Sequence, residues 1–209
     1  MKGKGSSPRL LIATTNPDKL REIGAVLGRL HLKILTLRDL PPVPEPVETG
    51  GTFSENARLK ALYYDGCLPR EGADRPLTVA EDSGLVIDAL HGDPGVRSAR
   101  FLRPDASYPE RFAEINRRLA ETPTRGRRAR FVCALAVVHN GAVVHEATGA
   151  IEGEIARTPR GRGGFGYDPI FYYPPYGGTL AEATEEDKLR VAHRGEAFRQ
   201  LAAWLEKGI

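Results

Sequence analysis

The sequence predicts an α/β fold in which helices flank a central mixed β-sheet. Short apolar runs, typical of buried strands, alternate along the chain with segments of helical periodicity. Two of these runs are joined by Asn140-Gly141, a strong signal of an antiparallel hairpin. The 209 residues are enough for one buried core. We therefore expect a disordered lead-in over residues 1–8 and a single α/β domain over 9–207.

The first strand and the first helix follow each other directly. Residues 10–13 are a short apolar run suited to a buried strand. Asn16 is a good helix N-cap, and Pro17 occupies the favoured first helical position. Apolar residues then recur at helical spacing and predict one buried face: Leu20, Ile23, Leu27 and Leu30.

A loop separates this pair from the next helix. Residues 38–51 contain four prolines and two glycines, which excludes a regular element there. Thr52 and Glu55 match a capping box, so they predict a helix that runs to about Tyr64. Residues 77–80 then predict a second buried strand, which we expect to end there.

The second half of the chain continues the alternation. Residues 108–119 predict a helix, and the apolar runs 131–138 and 142–144 predict the two strands of the hairpin. Residues 161–168 form a glycine-rich loop, and 195–207 predict a final helix. The alternation implies one α/β unit without internal repeats.

Composition excludes several classes of protein. The net charge of +3 is too small to indicate nucleic-acid binding, and Cys67 and Cys133 form no CxxC pair. No apolar run reaches the roughly 20 residues of a membrane span, and residues 1–8 lack the apolar core of a signal peptide. We expect a cytoplasmic protein. The four arginines within residues 125–130 fit an exposed loop better than an RNA-binding surface, since no aromatics interleave them.

The start of the first helix is a candidate phosphate site. Free N–H groups and the helix dipole favour anions there, and Thr14, Thr15 and Asn16 lie at that end. Lys19, in the first turn, would add a full positive charge. The alternative is an ordinary capped helix with a solvated lysine.

Three acidic residues are candidates for a metal site. Glu48 lies in the proline-rich loop, and Glu81 and Asp82 follow the strand at 77–80. Carboxylates gathered at the end of a strand suit Mg²⁺, which would neutralise a polyphosphate. Two adjacent acids are also common in plain turns. Asn56 and Lys60 are one helical turn apart and share a face, as a solvent-facing pair also would.

The glycine-rich loop matches GxGxxG over residues 161–166, but it does not predict a dinucleotide site. That fingerprint requires a helix immediately afterwards, and Tyr167-Asp168-Pro169 follows instead. Phe165 and Tyr167 can either stack on a flat base or pack into the core. No GxxxxGK(S/T) motif occurs in the sequence.

Three potential hydrogen-bond donors precede the final helix: Lys188, His193 and Arg194. Together they could recognise a carbonyl oxygen of a ligand. The alternative is a solvated surface cluster.

The order of these motifs resembles a known family. The segments TTNPDKLREI, ETGGTFSENARLKA, AEDSGLVIDALHGDPGVRSARF, GGFGYDPIF and EEDKLRVAHRGEA occur in one chain. Together they are similar to the inosine triphosphate pyrophosphatase family, also called Ham1-like, over about residues 10–205. The resemblance implies an α/β fold with two lobes, a deep cleft and a homodimer.

The resemblance also implies roles for individual residues. Thr14, Thr15, Asn16 and Lys19 would hold a triphosphate. Glu48 and Asp82 would hold Mg²⁺, and Asp82 would accept the proton of an attacking water. The remaining residues implied at the nucleotide site are Lys60, Ser83, Phe165, Gly166, Tyr167, Asp168, Lys188, His193 and Arg194.

The function implied is catalytic. A Mg²⁺-dependent enzyme would split ITP, dITP and XTP into nucleoside monophosphate and pyrophosphate, removing deaminated purines from the nucleotide pool. We expect a small nucleotide substrate, no membrane contact and no stable nucleic-acid binding. The alternatives are a pyrophosphatase for pyrimidine or modified nucleotides, and a non-catalytic nucleotide sensor or RNA-binding module.

Two residues depart from the family pattern. Thr15 stands where glycine is frequent, so the phosphate turn should differ slightly in shape. Ala192 stands where serine commonly precedes the His-Arg pair, which removes one hydroxyl. Neither change removes a charged group, so we expect activity to be retained.

Overall fold

The computed structural model describes residues 8–69, 75–122 and 126–208. Seven strands form one sheet in the order β2-β1-β3-β4-β5-β6-β7. Their bounds are β1 Arg9–Ile12, β2 Lys33–Thr36, β3 Leu77–Ile87, β4 Arg128–His139, β5 Ala142–Ile155, β6 Phe171–Tyr173 and β7 Gly178–Thr179. The predicted α/β class is confirmed.

The sheet is mixed, as predicted. β1 pairs in parallel with both β2 and β3. β6 pairs antiparallel with both β5 and β7. Leu10 and Leu11 of β1 are completely buried, which explains why this strand appears in the sequence as a continuous apolar run.

Five α-helices accompany the sheet within the described residues: α1 Pro17–Leu27, α2 Phe53–Gly66, α3 Tyr108–Ala120, α4 Glu185–Val191 and α5 His193–Glu206. The predicted caps are confirmed. The Asn16 side chain accepts from the amides of Asp18 and Lys19, and Thr52 and Glu55 form a reciprocal capping box. None of the helices in the described residues is long and apolar enough to cross a membrane.

The hairpin predicted at Asn140-Gly141 is confirmed. Both residues have positive φ, 54° and 78°, as a tight two-residue turn between β4 and β5 requires. The Gly141 amide also donates a 2.9 Å hydrogen bond to Asp65, a carboxylate near the end of α2 that is 1% exposed. The turn is therefore linked to α2 as well as to its own strands.

The chain divides into two compact units. Unit 1 comprises Met1–Asp82, Ala134–Thr148 and Ala197–Ile209, and unit 2 comprises Ser83–Cys133 and Gly149–Glu196. Each has a core of its own. In unit 1, small side chains such as Ala57 and Ala61 pack with Tyr64. In unit 2, larger side chains dominate, including Phe112, Ile115 and Phe171.

Two units match the number of lobes that the resemblance implies. The deep cleft, and the assignment of residues 9–207 to a single domain, stay predictions. Of the predicted lead-in, residues 1–7 lie outside the described residues. Pro8 is described, is exposed and has no regular structure.

Several boundaries in the sequence interpretation are wrong. β3 does not end at residue 80 but continues to Ile87, so residues 81–84 lie inside a strand. The final helix begins at His193, two residues before the predicted start at residue 195. The short elements β2, β6, β7 and α4 were not predicted, because segments of two to seven residues carry too little periodicity.

Candidate active site

A cluster of charged side chains gathers around Lys60 in unit 1. Its Nζ atom donates to Glu48 Oε1 at 2.7 Å and to Asp82 Oδ1 at 3.0 Å. The three residues come from the proline-rich loop, α2 and β3. Two of the three acids singled out for metal binding, Glu48 and Asp82, therefore converge on one cation, whereas Glu81 pairs with Lys19.

The strand β3 buries two adjacent acids. Glu81 is 4% and Asp82 6% exposed, so the plain-turn interpretation of this pair is wrong. Burial raises the pKa of Asp82, and the opposing attraction of Lys60 does not cancel that rise. Burial opposes the charge of Lys60, but attraction to Asp82 and the hydrogen bond to Glu48 raise the pKa of the amine. Lys60 is thus held as a cation beside a carboxylate of increased basicity.

The donor set around Lys60 fits Mg²⁺. Glu48 and Asp82 offer carboxylate oxygens, which are the ligands that this ion prefers. Both already lie within 3.0 Å of a positive charge, so the position where they meet favours a cation. No group of three or more His, Cys, Asp or Glu side chains suited to a metal occurs in residues 8–69, 75–122 and 126–208. With Glu48 and Asp82 as ligands, Mg²⁺ would keep positions for substrate or water.

The residues predicted to bind phosphate lie at the start of α1. Asn16 is half-buried and spends its side-chain oxygen on the cap, while Thr14 Oγ1 accepts from the Asn16 amide at 3.2 Å. Thr15 is exposed and donates to Glu45 at 2.9 Å. Lys19 is not solvated as the alternative supposed, because its Nζ lies 2.6 Å from Oε1 of the buried Glu81.

A second group of predicted residues surrounds Phe165 in unit 2. Lys188 Nζ lies 4.5 Å and Arg194 Cζ 5.6 Å from the centre of its ring. Lys188 also forms a 2.6 Å ion pair with Asp168, and Asp168 Oδ2 accepts from the Phe165 amide at 2.8 Å. Arg194 donates to Ser83 Oγ at 2.8 Å. These contacts fix one half-buried aromatic ring beside two cations.

The residues next to Phe165 differ from it in environment. Tyr167 is 4% exposed, meets Tyr108 edge-on at 5.3 Å, and donates to the carbonyl of Ser98 at 2.8 Å. Its ring belongs to the core, one of the two alternatives that the sequence left open. Burial raises the pKa of its hydroxyl. Gly166 has φ 65°, a left-handed conformation that favours glycine.

The three donors Lys188, His193 and Arg194 are buried rather than solvated. Lys188 is 6%, His193 7% and Arg194 2% exposed, so the surface-cluster interpretation is wrong. The His193 ring stacks on Phe131, with ring centres 4.9 Å apart and planes 18° apart. Buried charged groups require partners, and Lys188 and Arg194 have them in Asp168 and Ser83.

One residue of the first group was not identified as functional from the sequence. Asn56 is fully buried and donates from Nδ2 to Asp82 Oδ2 at 3.1 Å. The four-residue spacing places Asn56 and Lys60 on one helical face, but the interpretation of that face as exposed to solvent is wrong. The available signal was the shared helical face.

The arginine run has structural partners. Arg127 donates to the carbonyls of Ile155 and Ala156, and Arg130 pairs with Asp88 at 2.6 Å. Residues 128–130 open β4 rather than lying in a loop. Arg125 is outside the described residues. Cys67 and Cys133 form no disulfide with each other.

Comparison with known proteins identifies the family of this chain. The model of the Ham1 family matches residues 10–204. A dITP/XTP pyrophosphatase of Acidobacterium capsulatum is 45% identical over 203 residues, covering 94% of this chain and 97% of its own. One of Geobacillus kaustophilus is 43% identical over 192 residues, covering 92% and 91%.

A solved structure shares the fold. The HAM1 protein from Coxiella burnetii superimposes with a TM-score of 0.86 at 37% identity, covering 96% of this chain and all of that one. The match of the family model and the identity of these relatives lead to one conclusion. The chain belongs to the Ham1 family.

Proposed function

We propose that this Ham1-family chain is a hydrolase that converts dITP, XTP and ITP into nucleoside monophosphate and pyrophosphate. The names of its relatives support dITP and XTP as substrates. The observation that carries the proposal is the meeting of Glu48 and Asp82 on the ammonium group of Lys60. Carboxylates repel a polyphosphate unless a cation lies between them, so this arrangement favours a metal-dependent reaction.

Mg²⁺ is the proposed cofactor, with Glu48 and Asp82 as its protein ligands. When bound, it neutralises phosphate charge and orients the triphosphate. Thr14, Thr15 and Asn16 bind phosphate oxygens at the start of α1. Lys19 adds its charge there, and Glu81 holds that lysine in place at 2.6 Å.

The proposed chemistry is attack of water on the α-phosphorus. The water oxygen bonds to that phosphorus, the bond from it to the bridging oxygen of the β-phosphate breaks, and pyrophosphate leaves. Asp82 accepts the proton of the water. Lys60 and Lys19 offset the negative charge as it moves to the leaving group.

The residues around Phe165 are proposed to bind the base. The half-buried ring can stack on a purine, while His193, Arg194 and loop amides donate to its 6-oxo group. Adenine carries a 6-amino donor at that position, so two donors would oppose each other. A buried unpaired donor costs about 1–3 kcal/mol, or one to two decades of discrimination. Tyr167, Asp168, Gly166 and Ser83 shape this part of the site, and Lys188 holds Asp168.

The biological role follows from the reaction. Hydrolysis of deaminated purine triphosphates keeps them out of DNA and RNA. We propose that the enzyme works in the cytoplasm as a homodimer, without stable binding to nucleic acid. The contacts of Arg127 with two backbone carbonyls and of Arg130 with Asp88 support that last point, since both guanidinium groups are already engaged within the fold.

A substrate screen tests the proposal. Pyrophosphate release would be measured for ITP, XTP, dITP, GTP, ATP and pyrimidine triphosphates, each with and without Mg²⁺. We expect release from the deaminated purines at least tenfold faster than from ATP, and only with metal. Single phosphates as product, or equal rates for ITP and ATP, would contradict the reaction or the base argument respectively.

A further inference from the structure

We propose that Asn56 is a positioning residue that holds the carboxylate of Asp82 and the loop carrying Glu48 in one fixed arrangement. The inference rests on the proposed function, because it assigns Asn56 to the same metal-dependent site. Asn56 would act through Asp82 and Gly50 and would not itself contact substrate or metal.

The amide of Asn56 is held at both ends. Nδ2 donates to Asp82 Oδ2 at 3.1 Å, and Oδ1 accepts from the Gly50 amide at 2.8 Å. Only one orientation of the Asn56 amide satisfies both bonds, because the backbone N–H of Gly50 can only donate and an ionised Asp82 carboxylate can only accept. The side chain is completely buried.

Lys60 completes a closed ring of contacts. Its Nζ atom donates to the other oxygen of Asp82, Oδ1, at 3.0 Å and to Glu48 Oε1 at 2.7 Å. Asn56 and Lys60 lie one turn apart on α2, so each oxygen of Asp82 is tied to a different residue of the same helix face. The backbone from Glu48 to Gly50 closes the ring, because the Gly50 amide donates to Asn56. A rotation of the Asp82 carboxylate must break one of these bonds.

The backbone at Gly50 is shaped for this contact. A Cβ atom at that position would lie 2.7 Å from Asn56 Oδ1 and 2.7 Å from Glu55 Cβ, closer than real side chains approach. The absence of a side chain therefore lets the loop approach Asn56. At Gly51, a Cβ would meet Glu55 Oε2 at an ordinary 3.6 Å. The two neighbouring glycines thus offer a matched pair of substitutions.

Three variants test the proposal: Asn56→Ala, Asn56→Asp and Gly50→Ala. Asn56→Asp keeps the size and the acceptor for Gly50 but removes the donor to Asp82. Partners that orient metal ligands are typically worth 10–100-fold in affinity or activity. We expect kcat for ITP to fall 10–100-fold in both Asn56 variants, with KM changed less than threefold, and a smaller fall in Gly50→Ala. Gly51→Ala is the control and should keep wild-type kinetics.

A measurement without turnover accompanies the kinetics. Binding of Mn²⁺ alone, followed by the decrease of the electron paramagnetic resonance signal of free Mn²⁺, should weaken about tenfold in Asn56→Ala and not in Gly51→Ala. Melting temperatures identify any variant that does not fold, and Gly50→Ala then provides the test with the Asn56 side chain intact. The positioning role is overturned by wild-type kcat and Mn²⁺ affinity in any folded Asn56 variant, or in Gly50→Ala if neither folds. A wild-type protein that binds Mn²⁺ but hydrolyses no nucleotide would overturn the proposed function and leave the Asn56 comparison measurable.

Discussion

The group around Lys60 and the group around Phe165 are built in different ways. In the first, regular elements supply all the side chains except Glu48, which comes from the proline-rich loop: Asn56 and Lys60 come from one face of α2, and Asp82 comes from inside β3. In the second, a glycine-rich loop presents Phe165, and buried cations from α4 and α5 hold the ring. Unit 1 thus places carboxylates around a cation, whereas unit 2 places cations around an aromatic ring.

This difference teaches which kind of change each group should tolerate. Helices and strands fix side-chain positions through many backbone hydrogen bonds, so a substitution at Asp82 should alter chemistry and leave the fold intact. The loop around Phe165 is held by the Lys188–Asp168 ion pair and contains glycines with positive φ, including Gly164 and Gly166. Substitutions there should alter stability and substrate affinity together.

The largest effect is expected at Asp82. In Asp82→Asn the proton acceptor is lost, so kcat should fall by about 10²–10⁴-fold while the nucleotide dissociation constant changes far less. Rapid-quench kinetics and equilibrium binding of the nucleotide measure the two quantities. Glu146→Gln, an exposed residue paired with Arg58, is the control and should keep wild-type turnover. Turnover retained in Asp82→Asn would remove its role as base.

The next effect tests whether unit 2 depends on its buried ion pair. Lys188 and Asp168 have side chains 8% and 4% exposed, and Lys188→Met leaves a carboxylate buried without its cation. The free energy of unfolding in urea should fall by about 3–5 kcal/mol. The double variant Lys188→Met/Asp168→Asn should recover part of that loss, because the uncompensated charge is removed. Wild-type stability in the single variant would show that the loop does not rely on this pair.

A comparison of two glycines in unit 2 distinguishes the cost of backbone strain from the cost of a steric clash. Gly164 has φ 67°, and a Cβ there would lie 2.1 Å from Asp168 Oδ2. Gly177 has φ 63° with nothing within 4 Å of a Cβ. Gly177→Ala should therefore cost only the left-handed backbone penalty of about 1–2 kcal/mol, and Gly164→Ala at least twice that together with a raised KM. Equal losses of unfolding free energy in the two variants would contradict a role for the Asp168 contact.

The smallest effect concerns a carboxylate outside both groups. Hydrogen bonds from Arg103 and from Ser107 lower the pKa of Glu110, at the start of α3, from 4.5 to about 2. The contribution of Glu110 to stability is therefore fully present above pH 4.5 and is lost as pH falls towards 2. The melting temperature of Glu110→Gln should lie slightly below that of wild type at neutral pH, and the difference should disappear near pH 2. A constant difference across that range would contradict the lowered pKa.

The sequence predicts the elements that begin with a local chemical signal. Asn16 and Pro17 start α1, Thr52 and Glu55 start α2, and Asn140-Gly141 turns the hairpin, because each pairs with backbone only a few residues away. The order of the motifs along the chain predicts the family.

The remaining features depend on contacts between distant residues. Two adjacent acids resemble a turn, yet Glu81 and Asp82 lie inside β3 because Lys19 and Lys60 compensate their burial. The core position of Tyr167 depends on a carbonyl acceptor at Ser98, 69 residues away. Sequence periodicity does not report such pairs, so strand length and side-chain environment could not be derived from it.

The bond between Gly141 and Asp65 has a consequence for protein engineering. Exposed hairpin turns are usually chosen to accept peptide tags or split points, because they tolerate insertions. A tag inserted between Asn140 and Gly141 would displace the Gly141 amide, which donates a hydrogen bond to Asp65. Water could not readily replace that bond, because the Asp65 carboxylate is almost inaccessible to solvent. α2 would lose an anchor near its carboxyl end. An epitope introduced for detection at this turn would therefore disturb the helix that carries Asn56 and Lys60.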